Sequence, residues 1–350
     1  MPEQHRPHPI LIIGAGGIVH DAHLPAYRKA RFPVFGIYDL DKSKAEALAR
    51  KFAIPTVFQS LEDAVGQAPE NVIFDVAIPP SGFLPVLERL PDGAAVLLQK
   101  PMGQTIQEAG AIRDFCHAKK LTAAVNFQMR FAPAVARARK MIQEGLLGEV
   151  HDMEVRILVY TPWQLWTFLE GIPRMEILHH SVHYIDLVRS FFGDPARVYA
   201  RTVKHPSMMK LASTRSNIIM DYGDIVRANI TTNHGHMYGI EQQESYVKWE
   251  GTRGAIKSRL GLLLDYPRGQ PDDFRYALLE NGKSPQWQVL TIDGTWFPDA
   301  FIGSMRSLMA FLDGDTDKLP TSVDDAYKTM AVVEAAYQSN DFGGTKISYA

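Results

Sequence analysis

A single cysteine, Cys116, excludes any internal disulfide. It sits in "IRDFCHAKK", a helical pattern, where a packed or half-exposed small residue is expected. Long apolar runs are also missing: no stretch approaches the ~18 residues that a membrane span requires. The opening MPEQHRPHPI leads straight into an apolar strand with no small-residue cleavage pattern, so a signal peptide is not expected. Basic charge is not in excess. The 37 Lys and Arg against 39 Asp and Glu give a net charge of −2, whereas a nucleic-acid partner calls for a basic face. Internal repeats and low-complexity segments are lacking as well. What remains is the composition of a globular protein, 46% hydrophobic and 22% charged, and a cytoplasmic enzyme is the expected class. At 350 residues one hydrophobic core no longer keeps growing, so two domains are expected.

The first third alternates strands and helices. "PILIIGAGG", "PVFGIYDLD", "TVF", "NVIFDVAIP", "AAVLLQKP" and "LTAAVNF" read as six strands. Between them lie "HLPAYRKARF", with a kink or late start at Pro25, "KSKAEALARKFA", "SLEDAV" and "FLPVLERL". The helix "TIQEAGAIRDFCHAKK" opens on Thr105 and Glu108, which have capping-box spacing. Apolar strands without polar alternation imply a doubly wound parallel sheet covered on both faces, over residues 1–126. "PAVARARKMIQEG" is a linking helix. From residue 127 to 350 the rhythm changes. "EVHDMEVRILVY" alternates, and "SNIIMDYGDIVRANITTNHG" and "ESYVKWEGTRGAIKSRL" read as hairpins around "DYGD" and "EGTRG". One polar face is the mark of an antiparallel sheet with a free side, so the second domain is expected to be α+β. A helix is expected from Arg174 to Phe192, started by Pro173 and stopped by Gly193 and Pro195. A late helix over 322–338 could pack back on the first domain.

"GAGGIV" follows the first strand and opens a helix. Gly14 permits a tight turn, and Gly16 lets backbone amides approach a pyrophosphate. Gly17 and Ile18 continue that turn, and Val19 stands where a third small residue would be. Asp39 ends the second strand, where a carboxylate accepts the adenosine ribose hydroxyls and repels a 2′-phosphate. The expected cofactor is therefore NAD rather than NADP. Two later strand ends, with Ile78, Pro79 and Pro80 in one and Gln99 and Lys100 in the other, should line the cofactor crevice. Lys100 directly follows an apolar strand and precedes Pro101, which favours an extended backbone.

"EILHHSVHYIDL" holds His179, His180 and His183 within five positions. On an α-helix 179 and 183 share a face. Two histidines at that spacing fit a zinc site, with Glu176 conceivable as a third ligand. The HExxH glutamate is absent, however, and no metal is assigned. Packing is the simplest role for His180, at the edge of a pocket if not in the core. Trp163, Trp166 and Arg174 precede this stretch. Aromatic faces suit a sugar and an arginine suits a carboxylate or phosphate, and ordinary packing accounts for them equally well. The same holds for Trp296 and Asp299.

Taken together, these motifs resemble the family of glucose-fructose oxidoreductase, inositol dehydrogenase and MocA nearly from end to end. "GAGGIVHDAHLPAY" resembles its nucleotide turn. "VAIPPSGF" resembles its T-P-x-x-x-H segment, with Phe83 for histidine, and "LLQKPMG" its Glu-Lys-Pro motif, with Gln99 for glutamate. "VNFQMRFAPAV", which contains Gln128, resembles the opening of its second domain. "HHSVHYIDLVRSFFG" resembles D-x-x-x-H-x-x-D, with His179 at the aspartate, and "SVDDAYKTMAVVEAAYQSN" resembles its closing helix. The resemblance implies a Rossmann domain, a mostly antiparallel sheet domain and NAD(P)-dependent oxidation of a sugar or polyol. It also implies a homodimer or homotetramer built through the open sheet face. Carried onto this chain, it makes His183 the base, Lys100 the holder of the reacting hydroxyl, and Gln99 and Gln128 parts of the cofactor crevice. His179 then bonds substrate or shifts the proton affinity of His183. Two other functions stay open: transient use of bound NAD in isomerisation, elimination or glycoside cleavage, and a non-catalytic NAD-binding regulator.

Overall fold

The structure is a computed structural model that describes residues 8–348. These fall into two compact units. One comprises the chain up to Ala132 together with Phe297–Met330; the other comprises Pro133–Trp296 and the chain from Ala331 on.

In the first unit β1 (Ile10–Ile13), β2 (Val34–Tyr38), β3 (Ile73–Val76), β4 (Ala95–Leu98) and β5 (Thr122–Val125) form a parallel sheet in the order β2-β1-β3-β4-β5. β1, β3 and β4 are buried at every residue, as expected for strands covered on both faces. The connecting helices are α1 (Leu24–Ala30), α2 (Lys42–Phe52), α3 (Leu61–Gly66), α4 (Phe83–Arg89) and α5 (Ile106–Ala118). Their starts follow the caps in the sequence. Ser60 Oγ accepts from Asp63 N at 3.0 Å and Thr105 Oγ1 from Glu108 N at 3.1 Å. The Glu108 carboxylate reaches back to Gln104 N rather than to Thr105 N. The doubly wound sheet is borne out with one strand fewer. "TVF" contributes only an isolated bridge from Val57 to Ile37, because Phe58 turns in to cover Gly36, where a Cβ would touch its ring. The chain leaves β1 for β2 on one side and β3 on the other. That reversal opens a crevice at the carboxyl ends of β1 and β3.

The second unit starts with α6 (Pro133–Gln143) and β6 (Val150–Leu158) and continues with α7 (Val182–Phe192). Seven more strands follow: β7 (Arg197–Val203), β8 (Arg215–Asp221), β9 (Arg227–Asn233), β10 (Glu244–Gly251), β11 (Gly254–Arg259), β12 (Asp273–Leu278) and β13 (Gln288–Val289). They form a sheet ordered β13-β12-β11-β10-β6-β9-β8-β7, in which only β6 and β9 run parallel. The alternation decides the buried face. Met153, Val155 and Ile157 of β6 and Val247 and Trp249 of β10 are fully buried. The other face keeps Tyr199 and Ile219 half exposed, directly paired across β7 and β8. The helix expected from Arg174 to Phe192 is two structures: a π-helical turn over Glu176–Ser181, then α7. Gly193 ends it at φ +77°, a left-handed conformation that favours glycine.

Residues 127–132 and 297–321, expected in the second domain, fall in the first unit, and so does the start of the late helix, up to Met330, for which that placement was one of the expectations. α8 (Asp299–Leu312) explains the longer segment. Phe301, Met305, Leu308 and Met309 bury in the cluster that holds Ile10, Ile12 and Tyr27, and each such side chain contributes about 1.5–3 kcal/mol. α9 (Val323–Phe342) contributes residues to both units, with the division after Met330.

Candidate active site

The glycine turn is built for a close approach. Gly14 adopts φ +113°, and a Cβ there would lie 2.4 Å from the Ala77 carbonyl oxygen that follows β3. No side chain fits. Gly16 is exposed and meets nothing within 4 Å, which leaves its backbone open to an incoming phosphate. The chain then winds through a π-helical turn over Val19–His23 before α1 begins, so the late start expected near Pro25 is observed. Val19, at the third position of the motif, is fully buried. Asp39 stands at the end of β2. Its Oδ2 accepts from Ala15 N at 2.6 Å and its Oδ1 from Asp41 N at 2.7 Å, so the carboxylate is clamped to the turn. Ile78 and Pro80 are half-buried and Pro79 is exposed after β3, while Gln128 is buried after β5. The Gln128 Oε1 is buried with no protein partner. A Cβ-free cradle and an orphaned buried acceptor fit a dinucleotide.

Lys100 follows β4, half-buried, and burial lowers its ammonium to about 8. The residue before it explains how the backbone is held. Gln99 Oε1 accepts from Lys100 N at 2.8 Å, and Gln99 Nε2 donates to His23 Nε2 at 3.0 Å. Asn126 Nδ2 reaches the same nitrogen at 3.3 Å. On the other side His23 Nδ1 donates to Asp75 Oδ2 at 2.7 Å, and the Tyr27 hydroxyl donates to that oxygen at 2.8 Å. Burial, then the Asp75 carboxylate, push the Tyr27 hydroxyl well above its ordinary value. One tautomer satisfies all these bonds: His23 carries its proton on Nδ1 and accepts on Nε2. An amide at 99 supplies the donor that Nε2 needs and the acceptor that Lys100 N needs. A glutamate supplies acceptors only.

Gln99→Glu should therefore destabilise the chain by about 1–3 kcal/mol at pH 8, the penalty for an unsatisfied buried polar group. The folded variant needs one extra proton between residues 23 and 99, which the unfolded chain releases near neutral pH. Its deficit should thus shrink in acid and grow as pH rises. Urea unfolding at several pH values checks this; a wild-type midpoint across the range contradicts the assigned tautomer.

In the second unit His179 and His180 ride on the π-helical turn, and His183 on the first turn of α7; all three are half-buried. Such turns, with i→i+5 bonding, recur at functional sites. This one gathers Glu176, His180 and Ser181. Glu176 is fully buried. Its Oε1 accepts from Ser181 Oγ at 2.7 Å and lies 3.4 Å from His234 Nε2, and its Oε2 accepts a short bond from Ser216 Oγ. Burial works to raise its affinity for a proton, but His234, Ser216 and Ser181 hold it below the ordinary carboxylate value. His180 lies edge-on to His234, ring centroids 4.1 Å apart. Trp163 packs on both imidazoles, at 6.3 and 5.2 Å, and Trp166 packs on Tyr266 at 5.4 Å.

Arg174 needs a correction. It was a candidate for holding a substrate anion, but it forms a two-pronged pair with Glu334, at 2.5 and 3.1 Å, and its guanidinium covers the Tyr337 ring at 4.7 Å. A guanidinium satisfied in this way is structural. Asp299 pairs with Lys29 at 2.8 Å, and the Trp296 backbone N donates to Asp272. Sequence reasoning missed His23, Asp75, Asn126, Glu176 as an anchor and His234. Apart from the Glu176–Ser181 bond, their partners lie across long stretches of chain, so spacing carried little signal of them.

A parallel sheet with a glycine turn at its switch point, in a chain that also carries a mostly antiparallel sheet unit, is the architecture of a dinucleotide-binding protein. Residues 9–127 match the oxidoreductase family with an NAD-binding Rossmann fold, and residues 135–257 match the GFO/IDH/MocA C-terminal domain. The chain belongs to the GFO/IDH/MocA family of oxidoreductases. It is 25% identical to D-xylose 1-dehydrogenase (NADP(+)) 2 of Haloferax volcanii, over 95% of this chain and 97% of that one. Identity with the NADP(+)-dependent scyllo-inositol 2-dehydrogenase of Bacillus subtilis is 24%, over 82% and 74%. An oxidoreductase from Agrobacterium radiobacter, solved with NAD+, L-tartaric acid and magnesium, shares the fold at a TM-score of 0.79 and 18% identity, over 96% and 97%. Among the described residues no helix is long and apolar enough to cross a membrane.

Proposed function

We propose that the chain is an NAD-preferring dehydrogenase for a hydroxyl of a sugar, cyclitol or sugar acid. Bound NAD, held by the turn from Gly14 to Ile18 and by Asp39, would take the carbinol hydrogen as hydride. A ring nitrogen of His183 takes the hydroxyl proton, which a neutral imidazole does near pH 7. The Lys100 ammonium faces the alkoxide and stabilises its developing charge. His179 donates to a neighbouring substrate hydroxyl, and Trp163 and Trp166 offer apolar faces to the ring. The observation that carries this reading is Lys100. It is a lysine at the carboxyl edge of the parallel sheet with its ammonium lowered to about 8 by burial, and perturbed groups of that kind concentrate at reacting centres.

The test is NAD reduction across a panel of aldoses, cyclitols and aldonic acids. NADH from one class supports the reading. Substrate turnover with tightly held NAD and no net NADH overturns it in favour of transient oxidation, and NAD binding without any turnover overturns it in favour of a regulator.

The Asp39 carboxylate carries the preference for NAD. Hydrogen bonds to a charged group contribute about 1.5–3 kcal/mol, so Asp39→Asn should narrow the NAD-to-NADP ratio of kcat/KM by at least about tenfold. An unchanged ratio removes Asp39 from the choice of cofactor. The free face of the second sheet, with Tyr199, Ile219 and the exposed Ile225, is the surface proposed for a homodimer or homotetramer. A monomer by light scattering at micromolar concentration overturns that assignment.

A further inference from the structure

Glu176, His180 and His234 each offer one ligand atom, and the three atoms all lie within 4.8 Å of one another. We propose that these side chains form a binding site for a divalent transition-metal ion, zinc foremost.

The case begins with the charges. A carboxylate buried without a partner is costly, and here two imidazoles converge on one carboxylate. A proton on His234 would answer one of those contacts with a single positive charge. A dication satisfies all three. The donor set, one carboxylate oxygen and two imidazole nitrogens, is one that zinc accepts with a fourth position left for water.

The distances agree. Bonds of ~2.0–2.1 Å in a tetrahedral site put ligand atoms ~3.3–3.4 Å apart. His234 Nε2 and Glu176 Oε1 already stand at 3.4 Å. The other separations lie within 4.8 Å, and rotation of the half-buried His180 adjusts them.

The surroundings are those of supported ligands. His234 Nδ1 bonds to Thr161 Oγ1 at 2.9 Å, which turns Nε2 toward the carboxylate. Its backbone is held on both sides, His234 N donating to Thr214 O at 3.1 Å and Thr161 N to His234 O at 3.0 Å. Ser181 and Ser216 each occupy one side of a carboxylate oxygen, and each oxygen keeps a further lone pair. The π-helical turn contributes by placing Glu176 and His180 on one side of the segment that also carries His179 and leads into His183.

The experiment uses the full chain without a histidine tag, stripped with chelator, desalted and titrated with Zn2+ or Co2+. The expected result is about one equivalent retained by elemental analysis, since three preformed ligands bind tightly. Tetrahedral Co2+ absorption bands and a melting temperature raised by a few degrees should accompany it. His180→Ala and His234→Gln should each lose the bound metal, while His183→Ala, outside the ligand set, should keep it. Should His234→Gln fail to fold, the half-buried His180→Ala and the cobalt spectrum of the wild-type chain still decide. Retention below about a tenth of an equivalent by the wild-type chain, or retention unchanged in the ligand variants, overturns the site. None of these readouts depends on the dehydrogenase reading.

Discussion

Replacing His183 with asparagine is expected to lower kcat roughly 10²–10⁴-fold, the usual worth of a positioned general base, with little change in KM. Asparagine keeps a hydrogen-bonding group of similar size and cannot take a proton. The loss would therefore fall on the chemical step and not on binding, and kcat and kcat/KM would drop together. The placement favours such a role. His183 occupies the first turn of α7, directly after a π-helical turn, and is neither sealed in the core nor fully exposed. Turnover of the true substrate within a few fold of wild type would remove His183 from the mechanism. The neighbour at 179 sharpens the test. A histidine there lacks the fixed negative charge of an aspartate, so His179→Asp should move the His183 titration upward and shift the acid limb of kcat/KM with it. NMR titration of the two imidazoles reads this directly, and an unmoved His183 midpoint contradicts the coupling.

The elements that were legible in the sequence are those whose burial is local. β1, β3 and β4 are apolar at nearly every position because helices cover both faces, and that continuity is visible in one dimension. The caps at Ser60 and Thr105 and the turns between β8 and β9 and between β10 and β11 are likewise short-range. β7 was not legible. Its residues alternate only between half-buried and exposed, so it has no apolar face to read, and pairing with β8 alone makes it a strand. The π-helical turn at Glu176 was hidden for another reason: its composition suits an α-helix, and the contacts that Glu176 makes with Ser216 of β8 and with His234 after β9 come from distant parts of the chain. Arg174 shows the limit on the functional side. Its chemistry fits an anion, but Glu334, 160 positions away, takes it first. Gln99 shows the reverse: the departure from Glu-Lys-Pro at this position bonds both the His23 ring and the Lys100 backbone.

Lys100→Met should lower kcat/KM about 10²–10³-fold, the effect of removing one donor to a developing oxyanion. Such a loss alone does not separate a clamp from a packing residue, and the pH dependence does. With the ammonium lowered to about 8, the cation fraction falls across the range in which enzymes are commonly assayed. If the cation is what stabilises the alkoxide, kcat/KM declines above about pH 8. Lys100→Arg, whose guanidinium stays charged throughout, should lose that alkaline limb even where its absolute rate is lower. Stability moves the other way. The unfolded lysine holds its proton up to its ordinary value near 10.5 and the folded one releases it near 8, so between those values the unfolded chain binds more protons. Wild-type stability should rise with pH over that window, and the rise should vanish in Lys100→Met. A variant that loses activity and keeps the stability slope would mean that another group titrates there. One that loses the slope and keeps its activity would make Lys100 a buried structural lysine and leave the alkoxide without its cation.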